Sequence, residues 1–423
     1  FWGGDGIDES GTNTSICVNG LGNFYNGSVG FAQVPAPDCS PTPNGTIYVN
    51  QSTNISFTWG GTSAIYPDLR TAVYNTWNGA NNTVYFLENH NTSYSQSTRA
   101  VHLVRNNITV NCRGYTYSDP TASSTISGFD TNGFNDSVIT NCTISNFDEG
   151  IIISGDSRTI INNNTFEAGG ENNGIYFSDG DFVNIFNNSF TGDYSSQAID
   201  SDGSGPTNTN IWYNQFWGAD GSDDIGINDS FCVNGLGNYY NGSVAIAQVQ
   251  AADCGPTPNS NVSVNTTLTA NSFTFSTANN ANPIYKTLQE AYYNTNNTRT
   301  IFLQENVNQT ALAQTLRDDT TTNCLGKRIN STAVALKITG ANRHIVKDCF
   351  ILTSGNSNYG IHLLTSNGSQ IINTTINTTG TTAYGVYFQT NANHNQLINI
   401  TTNVPSSNDV YTSTASNNTL LNS

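Results

Sequence analysis

Residues 159–166 read TIINNNTF: a short β-branched run, three asparagines, then a threonine and an aromatic ring. The phrase stands upstream as SVITNCTI at 137–144, and downstream as VNIFNNSF at 183–190 and NIWYNQFW at 210–217. Each copy is a short apolar strand, an Asn, and a second apolar position. Gly-led strands lie between the copies, GIII from Gly150 and GIYF from Gly174. The copies recur every 22 to 27 residues. A segment that short cannot bury its apolar residues alone, and stacking on its neighbours can, so the spacing predicts the coils of a solenoid. The second half carries the same texture in HIVKDCFI at 344–351, SQIINTTI at 369–376, NQLINITT at 395–402 and NTLLNS at 418–423, with GIHL from Gly360 and GVYF from Gly385 between them.

The coils belong to a longer repeat. FWGGDGIDES at Phe1 returns as FWGADGSDD at Phe216, and NGLGNFYNGSVGFAQV at Asn19 returns as NGLGNYYNGSVAIAQV at Asn234. IYPDLRTAVYNTWN at Ile65 returns as IYKTLQEAYYNTNN at Ile284, and TVYFLEN at Thr83 as TIFLQEN at Thr300. The order of landmarks is kept at a period of about 215 residues, which marks a tandem duplication. Ile65, Leu69, Ala72 and Val73, and Ile284, Leu288, Ala291 and Tyr292, fall at helical spacing. One short capping helix per module is therefore expected. The expected layout is a joint segment at 1–44, a first module at 45–215, a second joint at 216–259 and a second module at 260–423.

At these residues the chain resembles the right-handed parallel β-helix, pectate-lyase-like family, and most closely the β-helix repeat domains of archaeal surface proteins. The resemblance implies an all-β fold of two tandem right-handed parallel solenoid modules. It implies that NCxG opens each helix and that CVNGLGNYY closes one. It also implies an interior hydrogen-bonded ladder of Asn141, Asn163, Asn187 and Asn214, then Asp348, Asn373, Asn399 and Asn422. Buried ladder amides are expected to carry no glycan even where they fit a sequon.

The net charge of −17 comes from a scarcity of Lys and Arg, since charged residues are only 10% of the chain. With no basic patch, nucleic acid is excluded as a partner. No apolar run reaches membrane length. Eight cysteines form two quartets of one layout, which pairs Cys17 with Cys39, Cys112 with Cys142, Cys232 with Cys254, and Cys324 with Cys349. Zinc would want closer Cys spacing. Disulfides and a dense set of Asn-x-Ser/Thr sequons point to an extracellular, N-glycosylated protein. Asn13, Asn26, Asn44, Asn54, Asn81, Asn91, Asn107, Asn228, Asn241, Asn261, Asn296, Asn308 and Asn367 are the expected glycan sites.

A hydrolase of this architecture needs paired carboxylates on neighbouring coils, and a lyase needs calcium-binding Asp residues with a basic partner. DEGIIISGDSR gathers Asp148, Glu149, Asp156 and Arg158, but its counterpart SGNSNYGIHLLTSNGS from Ser354 has none of those charges. A solvated turn is the preferred reading of it. The histidines at 90, 102, 344, 362 and 394 show no paired motif. The recurring acidic turns offer Asp5, Asp8, Glu9, Asp220, Asp223 and Asp224 as calcium ligands, with a plain Asp/Gly turn as the alternative. No cofactor is required. The expected role is a non-enzymatic one, a structural subunit of an extracellular glycosylated filament, stalk or surface layer. Its partners are copies of itself, head to tail, or covalent continuation of the same repeat. NTLLNS followed by FWGGDG reproduces the internal phrase NIWYNQFWGADG, so Phe1 and Trp2 are expected to meet Leu420, Leu421 and Ser423 of the next unit. The rivals are a polysaccharide lyase or glycosidase, and a carbohydrate-binding adhesin for which NIWYNQFW is the aromatic candidate.

Overall fold

The computed structural model describes residues 21–26, 28–29, 31–34, 38–42, 45–77, 82–92, 99–122, 125–131, 133–155, 158–169, 172–201, 205–218, 220–223, 226, 228–250, 252–277, 282–315, 317–405 and 407–422. Among the described residues the fold is all-β, of the right-handed solenoid type, with about 13 turns in all and two six-residue α-helices. The chain forms two compact units, Phe1–Ser230 with Ser243–Gln248, and Phe231–Gly242 with Val249–Ser423.

In the first unit each coil gives one strand to each of three parallel sheets. The coil containing the second Cys of the wider pair contributes Val138–Thr140, Thr143–Ser145 and Glu149–Ile153. In-register pairing puts like residues on like. Ile139, Ile161, Ile185 and Ile211 form one interior column, and all are buried. Phe166, Phe190 and Phe216 form a second, their rings stacked at 4.8 and 5.1 Å. Phe129, Ile151, Ile175 and Ile199 form a third. Each such side chain stabilises the fold by roughly 1.5–3 kcal/mol relative to exposure. The second unit repeats the plan, with Val346, Ile371 and Leu397, with Ile329, Ile351 and Ile376, and with Ile338, Leu363 and Phe388 as its columns.

The interior ladder is real but sits one residue away from the expected register. Asn164, Asn188 and Asn214 are buried, and each carboxamide oxygen accepts the backbone N–H of the coil before it, at 2.9 to 3.0 Å. Their amide groups donate to the carbonyls of Ile139, Ile161 and Ile185, all at 2.9 Å. Asn214 was therefore in the right column, while Asn141, Asn163 and Asn187 lie at the adjoining surface position. There the backbone is left-handed, with φ of 56°, 57° and 56°. A short polar side chain that bonds locally is favoured at such a φ. Asp348, Asn373, Asn399 and Asn422 repeat that left-handed position in the second unit. Its interior ladder runs instead at another corner, where Ser369 donates its N–H to Asn395 and Asn395 to Asn418, at 2.8 and 2.9 Å.

The two helices are shorter than the periodicity predicts. Ile65 lies in the strand Ser63–Tyr66 and Ile284 in Ile284–Tyr285, and the helices are Leu69–Tyr74 and Leu288–Tyr293. Pro67 disfavours helical backbone at Tyr66, and Asp68 caps the following turn by accepting from Thr71 N–H at 2.7 Å. Thr287 and Glu290 form a capping box on the second helix.

The duplicated NGLGN-F/Y-YNGS sentence has a structural explanation. In each unit it clasps the C-terminal Asn of the helix. Tyr25 and Asn75 exchange bonds of 2.9 and 2.6 Å, and Tyr240 and Asn294 exchange bonds of 2.8 and 2.7 Å. Both tyrosine hydroxyls donate to an Asp, Tyr25 to Asp38 at 2.6 Å and Tyr240 to Asp253 at 2.9 Å. A buried Arg completes each latch by donating to the helix end, Arg105 to the Tyr74 carbonyl at 2.7 Å and Arg317 to the Tyr293 carbonyl at 3.0 Å. Burial raises the Asp253 carboxyl, and Arg317 pulls it back down.

Three of the four expected disulfides are seen, Cys112–Cys142, Cys232–Cys254 and Cys324–Cys349, with Cα separations of 4.7, 5.4 and 4.8 Å. Cys17 lies outside the described residues. No helix among the described residues is long and apolar enough to cross a membrane.

Candidate active site

The third sheet of the first unit is built from Arg99–His102, Ser127–Asp130, Glu149–Ile153, Asn173–Phe177, Gln197–Ser201 and Ser222–Asp223. Side chains alternate across a strand, so the face opposite the Phe129 and Ile151 column looks outward. That column reads His102, Asp130, Ile152, Tyr176, Asp200 and Asp223; His102, Asp130 and Ile152 are buried, Tyr176 and Asp200 half-exposed, and Asp223 exposed. At the strand starts a parallel row holds Arg99 beside Ser127, and Glu149 beside Asn173 and Gln197. Gly150 permits the close coil stacking here, because a Cβ at that position would lie 2.6 Å from the Gly174 carbonyl oxygen.

The ionisable groups of this sheet, and of the turn that precedes Glu149, are held in place by bonds within and between coils. Asp130 accepts from Arg99 Nε at 3.1 Å and from Ser154 Oγ at 3.3 Å, with His102 Nδ1 at 3.4 Å. Ser127 Oγ donates to Glu149. Asn172 Nδ2 donates to Asp148 at 2.6 Å and is itself oriented by Ser195 Oγ at 2.6 Å. Burial, and then the charge of neighbouring Glu149, push the Asp148 carboxyl up to about 6, against the pull of Arg99. Asp148 thus holds its proton into the range where a general acid is useful, with further carboxylates beside it. A small cleft in the same coils is lined by Ser145, Phe147, Gly150, Glu167, Asn173, Gly174 and Tyr194, and neither Asp148 nor Glu149 is part of its lining.

The constellation expected from DEGIIISGDSR is therefore divided. Asp148 and Glu149 remain together. Arg158 makes a two-pronged ion pair with Asp136, at 2.6 and 2.8 Å, at an exposed corner. Asp156 lies outside the described residues. Arg99, His102 and Asp130 join the site without having been singled out as a group, because coil stacking alone brings them together.

His90 and His344 take structural places. His90 is buried between Phe86 and Tyr117 and accepts from Leu69 N–H at 3.3 Å, and burial pushes it down to about 4. His344 is buried between two threonine hydroxyls, and burial pushes it down to about 3. His394 is exposed at a left-handed position.

Of the acidic-turn residues, Asp220 accepts Tyr194 N–H at 2.7 Å and Asp223 ends the outward column. Asp5, Asp8, Glu9 and Asp224 lie outside the described residues. Among the described residues no group of three or more His, Cys, Asp or Glu is arranged to hold a metal ion. The sequon residues Asn54, Asn91, Asn107, Asn228, Asn261, Asn308 and Asn367 are exposed, and Asn26, Asn241 and Asn296 half-exposed. Asn13, Asn44 and Asn81 lie outside the described residues.

No protein-family model and no curated protein matches the chain. Among solved structures, a variant catalytic domain of a GH87 α-1,3-glucanase in complex with tetrasaccharides aligns over 91% of this chain and 69% of its own, at 11% identity and a TM-score of 0.32. The same catalytic domain in complex with nigerose aligns over the same shares at 12% identity and a TM-score of 0.30. An alginate lyase from a Paenibacillus species aligns over 82% of this chain and 95% of its own, at 8% identity and a TM-score of 0.24.

Proposed function

We propose that the chain is an extracellular polysaccharide-active protein of the glycosidase type, with its site on the outward third sheet of the first unit. The observation that carries this reading is the adjacent pair Asp148 and Glu149, held by Asn172 and Ser127, with burial pushing the half-buried Asp148 carboxyl up to about 6. Asp148 stands in the turn just before the strand Glu149–Ile153, whose sheet also bears Arg99, Asp130 and His102, in a chain where charged residues are only 10%. Asp148 is the proton donor to the glycosidic oxygen. As the bond from the anomeric carbon to that oxygen breaks, a water oxygen bonds to the carbon, and a neighbouring carboxylate takes the water's proton. Arg99 orients Asp130, and Ser127 and Asn172 orient Glu149 and Asp148. The test is turnover of a panel containing α-1,3-glucan, other neutral glucans and alginate, read as new reducing ends or unsaturated ends. Cleavage of one polymer by the wild type, and a loss of at least a hundredfold in Asp148→Asn, is expected. Equal activity in the variant overturns the assignment of the donor, and no cleavage of any polymer overturns the reading.

A second reading, head-to-tail assembly or covalent continuation into a surface filament of the archaeal type, is favoured by one observation. Leu420 and Leu421, on the strand Thr419–Leu421, are 56% and 45% exposed, although Leu420 continues the column of Val346, Ile371 and Leu397. Apolar side chains this exposed gain from burial against another surface. Phe1, Trp2 and Ser423 lie outside the described residues. Electron micrographs distinguish the two readings, with filaments favouring the second and separate particles the first.

A further inference from the structure

In the second unit the sheet corresponding to the acidic one has a different surface. Its strands are Ala313–Thr315, Leu336–Thr339, Ile361–Leu364, Val386–Gln389 and Val410–Ser413. The outward column runs Gln314, Lys337, His362, Tyr387 and Tyr411. Tyr359 and Tyr384, in the turns just before the strands, stand beside it. Tyr359, Tyr384 and Tyr411 stack face to face at 5.4 and 4.5 Å, and His362 stacks on Tyr387 at 4.9 Å. The four tyrosines are half-exposed. Because the ring faces cover one another, the stripe offers solvent ring edges and phenol hydroxyls, spaced one coil apart.

We propose that this tyrosine stripe is a binding surface for a neutral polysaccharide chain lying along the solenoid. Three observations favour that occupant. First, coils repeat at about 4.8 Å, close to the advance per sugar of an extended pyranose chain, so successive hydroxyls meet successive sugars. Second, rigid amphipathic rings lose little conformational entropy on binding, and each carries a donor and acceptor suited to sugar hydroxyls. Third, the stripe is close to neutral. Lys337 in the column and Asp409 beside Val410 oppose each other in charge, and Gln314, Gln389 and His362, the last pushed down to about 4 mainly by burial, add no charge near neutral pH. The rest of the chain is strongly acidic, with a net charge of −17, and disfavours an anionic polymer. The surface shares its ligand class with the proposed first-unit site but none of its residues.

The test is affinity electrophoresis and pull-down of the full chain with dextran, curdlan and alginate. It is run in an Asp148→Asn background so that turnover does not consume the polymer. The combined variant Tyr359→Phe, Tyr384→Phe, Tyr387→Phe and Tyr411→Phe keeps the stacks and removes the hydroxyls, and thermal melting checks that it folds. The expected result is retardation by a neutral glucan and not by alginate, weakened at least tenfold in the Phe variant at an unchanged melting temperature. Binding unaffected by the four substitutions, binding to alginate as strong as to the glucans, or no binding to either neutral polymer overturns the proposal. The turnover assay of the first-unit site reads separately, so either site can fail without the other.

Discussion

Replacing Asn188 with Ala separates the interior ladder from its surface neighbour. Asn188 is 1% exposed, and its carboxamide oxygen accepts Asn164 N–H at 2.9 Å while its amide donates to the Ile161 carbonyl at 2.9 Å. Truncation leaves that N–H and that carbonyl inside the solenoid without their partner. Each orphaned buried group costs about 1–3 kcal/mol, so the pair costs about 2–6 kcal/mol. Asn187 is exposed, with φ at 56°, and its amide bonds only to Asn163. Gly adopts that φ without strain, so Asn187→Gly costs less than about 1 kcal/mol. Urea unfolding followed by circular dichroism measures both. A loss under 1 kcal/mol for Asn188→Ala, or a larger loss for Asn187→Gly, refutes the ladder assignment and the register derived from it.

Acid should destabilise the second unit through His344. Its pKa falls to about 3 in the folded chain from an ordinary 6.5, so below 6.5 the unfolded state binds the extra proton. Stability is then present above that pH and falls by about 1.4 kcal/mol per pH unit toward about 3. Melting between pH 7 and pH 4.5 should fall less steeply in His344→Gln, and parallel slopes contradict this. Arg317→Met leaves Asp253 buried without its cation and the Tyr293 carbonyl without its donor, an expected loss of about 3–5 kcal/mol; a neutral effect in chemical denaturation dissolves the latch. The sequons at Asn163, Asn187, Asn373 and Asn399 are exposed, so expression in a glycosylating host should place sugar on them. Glycopeptide mass spectrometry that finds them bare while Asn54 and Asn107 are occupied contradicts that surface placement.

The solenoid was legible because its signal is repeated in every coil. TIINNNTF and its relatives give the strand, the turn and the next strand, and the strand pairing stacks those copies residue on residue. In TIINNNTF and VNIFNNSF the error of one residue arose where adjacent asparagines stand, while after Asn141, Asp348, Asn373 and Asn399 the next residue is Cys142, Cys349, Thr374 or Ile400 and no Asn marks an interior position. Both the left-handed surface position and the buried one favour Asn, for different physical reasons. NIWYNQFW, with Tyr213 at the left-handed site and Asn214 inside, carried the frame, and it was the one copy read correctly. The site was only half legible. Asp148 and Glu149 are adjacent in sequence, but Arg99, His102 and Asp130 come from earlier coils, and only the register of stacked strands makes them neighbours. The tyrosine stripe escaped for the same reason, since Tyr359, Tyr384 and Tyr411 stand on successive coils and only stacking joins them. The latch was foreshadowed by the duplicated joint, whose Asn and Tyr recur in both copies.

A crystal structure of the Asp148→Asn chain grown with an oligosaccharide of whichever polymer it cleaves or binds locates the substrate directly. The expected result is a sugar chain crossing the first unit's third sheet, with a glycosidic oxygen within hydrogen-bond reach of residue 148 and sugar hydroxyls on Arg99, Asp130 or Glu149. Density confined to other faces, with the Asp130 and Glu149 groups bonded only to the protein as now, contradicts the assignment of this sheet as the active site.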